Sequence, residues 1–98
     1  MITEIVECRI KPGSEEKFVA GVAASQPIFE RSPGFLGLEL HHMIEDPHGF
    51  ILFIKWESVA HHIEMFQKSP DYAEWRANVG AFFADTPRLQ HAEKTLSY

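Results

Sequence analysis

Six histidines, two tryptophans and a single cysteine are the side chains of this 98-residue chain best equipped for chemistry. His61 and His62 are adjacent, so on a helix they point roughly 100° apart and cannot both face inward. His62, four residues before Phe66, is the one expected to look into the core. An imidazole there can act as a general base toward a phenolic or enolic proton; the plain alternative is a half-exposed helix histidine with no chemistry. Trp56 ends an apolar run just before that helix. Its flat face can hold an aromatic molecule and its indole N–H can donate a hydrogen bond, or it is simply a core residue at a strand end. Tyr72 and Trp75 fall on the inward face of a later helix, beside Arg76. That arginine can anchor an anion or pair with Asp71 or Glu74. His41, His42, His48 and His91 are scattered, with no spacing that suggests a metal site. Phosphate loop, nucleophile elbow and dinucleotide fingerprint are all missing, so no metal or organic cofactor is expected.

These side chains must be held by the stretch Phe50 to Pro70, FILFIKWESVAHHIEMFQKSP. It opens with a strand-like run in which Phe50, Leu52, Ile54 and Trp56 share one face and Ile51, Phe53 and Lys55 the other. Both faces are apolar until Lys55. Ser58 is placed to cap the helix that follows, which should run to about Gln67 with Ile63 and Phe66 inward. Ser69-Pro70 then restarts a helix, serine as N-cap and proline at its first position. Tyr72, Trp75, Val79, Phe82 and Phe83 continue at helical spacing, and Asp85-Thr86-Pro87 ends it.

Upstream, Ile2 to Lys11 reads as a strand with Glu4, Val6, Cys8 and Ile10 on one face. Buried among them, Cys8 is expected to behave as a small hydrophobe. Ser14 is the candidate cap of a first helix carrying Phe18, Val22 and Phe29, with Ala20, Ala23 and Ala24 allowing close packing and Pro27 kinking its end. Phe35 to Met43 is a second strand. An odd-length turn at Glu45 to Gly49 would set Leu36, Leu38, Leu40 and His42 on the face of Leu52, Ile54 and Trp56. Arg88 to Leu96 is the last strand. The order is β-α-β-β-α-β with a broken second helix, which predicts an α+β, ferredoxin-like single domain with a four-stranded antiparallel sheet.

Helices cover only one side of such a sheet, so the two-faced third strand needs a second cover. Another copy of the chain is the simplest, giving a homodimer that buries about 800 Å² or more per subunit. A formal charge of −5 without a basic stripe speaks against nucleic acid. One cysteine excludes an internal disulfide and suits a reducing compartment. Nothing reads as a leader or membrane span, so a cytoplasmic location is expected.

The segments ECRIKPGSEEKF, SPGFLGLEL and FIKWESVAHHIEMFQKSPDYAEWR together resemble the antibiotic biosynthesis monooxygenase superfamily across essentially the whole chain. The resemblance implies a dimeric α/β barrel. It also implies a pocket in each subunit, between helices and sheet, lined by the strand-three tryptophan that Trp56 matches. Relatives include cofactor-free oxygenases of quinols and anthrones and enzymes that degrade haem. Cys8 and Arg76 stand where the haem-degrading relatives carry an asparagine and the haem-ligating histidine, which turns the reading away from haem. Leu52 stands where an anthrone oxygenase carries an asparagine. The resemblance thus implies a cofactor-independent monooxygenase of a small aromatic, quinol or polyketide-like molecule. His62 and Trp56 would be catalytic, with Tyr72, Trp75, Arg76, Leu52 and Cys8 around the substrate. A non-catalytic homodimer binding a small hydrophobic molecule is the competing reading, and an isomerase or decarboxylase using the same base is a third.

Overall fold

The computed structural model describes residues 1–98. Four strands, β1 (Ile2–Arg9), β2 (Phe35–His42), β3 (Gly49–Trp56) and β4 (Arg88–Ala92), form one antiparallel sheet in the order β2-β3-β1-β4. Two short helices, α1 (Glu15–Ala24) and α2 (Gln26–Glu30), follow β1. A π-helix (His61–Phe66), α3 (Pro70–Val79) and a 3₁₀ turn (Gly80–Phe82) follow β3. This is the α+β, ferredoxin-like arrangement expected, with the first helix bent beside Pro27 and the second interrupted at Ser69.

Cross-strand rows on the helix-covered face explain the core. Val6 pairs with Leu52 and Leu52 with Leu40, Glu4 with Ile54 and Ile54 with Leu38, Cys8 with Phe50 and Phe50 with His42. Leu38, Leu40 and His42 therefore take the expected face. Leu36 does not: a bulge between Phe35 and Gly37 turns it outward, where it is half exposed, and sets Phe35 opposite Trp56. Trp56, with no exposed surface, is ringed by Phe29, Phe35 and Phe66 at centroid distances of 6.3, 5.9 and 5.3 Å.

Further local expectations are corrected. Close approach of α1 to α3 comes from Gly21, where a Cβ would lie 2.4 Å from the Asn78 carbonyl oxygen, while Ala20, Ala23 and Ala24 are exposed. Asn78 seals that contact by donating to Ser25 Oγ, which donates to the Gly21 carbonyl. Next, α3 ends at Val79; Phe82 closes the 3₁₀ turn and Phe83 leaves it in an extended conformation to bridge Ile10, both packed against the core. Finally, β4 stops at Ala92; beyond it Leu96 and Tyr98 are exposed and have no strand to pair with. At α1 the Ser14 hydroxyl makes no capping bond, and the Glu15 carboxylate accepts the Gly13 N–H instead. No helix is long and apolar enough to cross a membrane.

Candidate functional site

A cavity of about 180 Å³ lies between the sheet and the second helical segment. Leu52 and Ile54 of β3 and Val6 of β1 form its floor; Tyr72, Trp75 and Arg76 of α3 form its far wall; Glu4 and His62 supply its buried polar groups. Larger openings lie elsewhere: one of about 430 Å³ between α1–α2 and β2 offers no histidine, cysteine or buried charge.

Glu4 is the residue that sequence reasoning left out. It is 5% exposed, and its Oε1 accepts the Trp56 indole N–H at 3.0 Å while lying 3.3 Å from His62 Nε2. His62, 2% exposed, also sets Nδ1 2.8 Å from His91 Nε2, and its ring stacks on Trp56 at 5.7 Å with planes 15° apart. The signal for Glu4 was available: it is an acid on the face of β1 otherwise carrying Val6, Cys8 and Ile10. His91, one of the scattered histidines, is brought in by register, being the cross-strand neighbour of Glu4 on β4.

Local backbone explains why His62 points inward. The Gln67 N–H bonds to the His62 carbonyl at 2.9 Å, five residues back, so this turn is wider than an α-turn. Ser58 Oγ accepts the His61 N–H at 3.3 Å and bonds the His61 ring at 2.8 Å, which holds His61 on the outside. Phe66 and His62 are buried, whereas Ile63 is only half so.

Electrostatics follow from burial. Loss of water pushes the Glu4 carboxyl up from 4.5 to about 7, partly offset by the Trp56 N–H. Burial first, and then the neighbouring His91, hold His62 down from 6.5 to about 4. The two shifts together leave the pair short of charge, with Glu4 the stronger base.

Of the residues singled out in the sequence, His62, Leu52, Tyr72, Trp75 and Arg76 line the cavity. Trp56 stands behind its wall, with its N–H committed to Glu4, so its face and donor are not free for a ligand. Cys8 lies at a different depression, toward Arg9, Asp46 and Asp85. Its thiol contacts the Phe50 carbonyl, and burial, then Asp85, pushes it up to about 11, so it is an unreactive core group. Arg76 pairs with neither Asp71 nor Glu74, both of which are taken by Arg31; its guanidinium contacts the Tyr72 hydroxyl at 3.3 Å. No group of three or more histidine, cysteine or acidic side chains could hold a metal ion.

The family model for antibiotic biosynthesis monooxygenase matches residues 1–78. Over 91 residues the chain is 30% identical to YczJ of Bacillus subtilis (strain 168), a protein of uncharacterized function, covering 93% of this chain and 96% of YczJ. A crystal structure from Bordetella bronchiseptica, assigned to the antibiotic biosynthesis monooxygenases, is 42% identical, with a TM-score of 0.95 over 97% of both chains. SnoaB, a cofactor-independent oxygenase from Streptomyces nogalater, has a TM-score of 0.84 at 14% identity over 98% of this chain and 94% of its own; at that identity the likeness is one of fold. By its sequence match over most of its length, and by the fold that match accompanies, the chain belongs to the antibiotic biosynthesis monooxygenase family.

Proposed function

We propose that this protein is a cofactor-independent monooxygenase of a small electron-rich aromatic, held between helices and sheet. The observation that carries the reading is the buried Glu4–His62–His91 cluster at the inner end of an otherwise apolar cavity. Such a site excludes water and can take a proton from a phenol or enol. The resulting anion delocalises charge onto carbon and can give an electron to dioxygen, after which the two radicals combine as a hydroperoxide. Loss of the hydrogen on that carbon cleaves the O–O bond. One oxygen stays as a carbonyl and the other leaves as water. All four electrons come from the substrate, so no reductant is needed.

Leu52, Trp75 and Tyr72 offer the apolar walls, and Arg76 at the rim suits an anionic substituent. Trp56 acts as a positioning residue through Glu4. Ligand pockets commonly enclose about 300–1,000 Å³, so a cavity of about 180 Å³ favours single-ring quinols over three-ring anthrones. The outward face of the sheet, with Ile5, Ile51 and Phe53 only half-buried, is proposed to meet the same face of a second copy.

Oxygen uptake with a panel of hydroquinones and anthrones tests the reading. Turnover of single-ring quinols, lost in His62→Ala, is the expected result. The cavity's small size also supports a second reading, a non-catalytic binder. Absence of oxygen uptake across the panel, with an aromatic ligand retained through native purification, would establish that one instead. Product formed without oxygen would point to proton transfer alone.

A further inference from the structure

Neither nitrogen of His62 is free. Nδ1 faces His91 Nε2 at 2.8 Å, and Nε2 faces Glu4 Oε1 and Gln67 Nε2, each at 3.3 Å. One face of the ring lies on Trp56. A substrate hydroxyl could reach an imidazole nitrogen only by displacing one of these partners.

Glu4 is differently placed. Oε1 takes both its contacts, to Trp56 and to His62, whereas Oε2 has no partner within the chain. Every buried side-chain nitrogen and oxygen is nevertheless hydrogen-bonded. Oε2 is therefore not sealed in, and since Glu4 lines the cavity, this oxygen opens toward it.

Resting on the oxygenase reading above, we infer that Glu4 is the residue that takes the substrate's proton, at Oε2, and that His62 and His91 are positioning residues. In the step, the substrate O–H bond breaks, an O–H bond forms at Oε2, and the electron pair stays on the substrate oxygen. Glu4 then returns the proton to the peroxide oxygen that departs as water, so it ends the cycle as it began. The Trp56 N–H holds Oε1, and the His62 ring crowds it at 3.3 Å, which leaves Oε2 as the one oxygen able to react. The Gln67 Nε2 amide can only donate, so the His62 Nε2 it faces accepts, and the His62 proton sits on Nδ1, directed at His91 Nε2.

The surroundings suit the role. The groups facing Glu4 are His62 from the π-helix, His91 from β4, and Tyr72 and Arg76 from α3 across the cavity; β3 presents only Trp56 and Ile54. A carboxylate that titrates near neutrality is matched to general-base work at neutral pH, and a suppressed imidazole is not.

Two measurements on the intact protein decide the matter. In oxygen-uptake assays with single-ring hydroquinones, the wild-type kcat should rise through about pH 7. Glu4→Gln, which keeps the acceptor for Trp56, should lower kcat by about a hundred-fold or more with little change in KM, and Glu4→Asp should recover part of the loss. A Glu4→Gln protein with the wild-type kcat and pH midpoint would overturn the assignment. The second measurement needs no substrate: the carboxyl carbon of Glu4 is followed by NMR against pH. A midpoint near 7 that moves in His91→Gln supports the assignment. A midpoint in the usual glutamate range, indifferent to position 91, overturns it whatever the turnover. If the NMR result holds while no quinol consumes oxygen, Glu4 stands as the proton acceptor and the oxygenase reading falls.

Discussion

Glu4 and His62 are each driven by burial toward their uncharged forms, and the consequences for stability have opposite signs. Glu4 rises from 4.5 unfolded to about 7 folded, so between those values the native state holds the extra proton and stability falls as pH rises. His62 drops from 6.5 to about 4, so between those values the unfolded state holds the extra proton and stability falls as pH falls. From about pH 4.5 to 6.5 the two effects nearly cancel, and the pair adds little pH dependence. Glu4→Gln removes one side of the balance. Its stability relative to wild type should therefore climb by about 3 kcal/mol between pH 4.5 and 7, at ~1.4 kcal/mol per pH unit. Urea unfolding of both proteins at several pH values measures this, and a constant difference would show that the Glu4 carboxyl is not perturbed.

The elements that carry these groups are held by a few close contacts. Gly34 precedes β2 with φ at +81°, and a Cβ there would lie 2.3 Å from His61 Cγ on the π-helix. Its carbonyl also accepts the Glu57 N–H at 2.8 Å, tying the start of β2 to the end of β3. Gly34→Ala combines the cost of a left-handed alanine, about 1–2 kcal/mol, with a clash against a ring that Ser58 holds in place. Thermal unfolding should show a loss of at least about 2 kcal/mol. Removing the ring in Gly34→Ala/His61→Ala should recover the clash and leave the backbone cost. A single substitution that melts like wild type would mean this contact does not fix the π-helix against β2.

Across the whole molecule, the helices cover one face of the sheet, and Ile5, Ile51 and Phe53 stay only half-buried within the chain on the other face. Ile5, Phe53 and Ile51 form its apolar centre, with Ile5 opposite Phe53, and Glu7, Lys55 and Glu39 stand around them. An apolar core with a charged rim is the make-up of a protein interface. Placing a charge at its centre should be tolerated by the isolated chain and resisted by a dimer. By sedimentation equilibrium, the wild type is expected at twice the chain mass and Phe53→Glu at once, with the same circular dichroism. A wild type that sediments as a monomer at micromolar concentration would remove the two-fold interface from the proposal.

The alternation of apolar residues in β1 and β3, together with the Ser-Pro and Pro-Gly breaks, was enough to order the strands and helices, because burial forces a period of two or 3.6 wherever one face meets the core. The same logic singled out His62 as the inward histidine. What it could not supply was the partner set. Glu4 and His62 lie 58 positions apart and Glu4 and His91 lie 87 apart in the chain, and only the pairing of β1 with β3 and β4 brings them within reach of one another. Trp56 was legible as an aromatic at the right place. That its N–H is spent on a buried carboxylate, and that this carboxylate lies beside His62, depends on register and on a widened helical turn. Local periodicity carries no information about either, since both arise from contacts between segments remote in sequence.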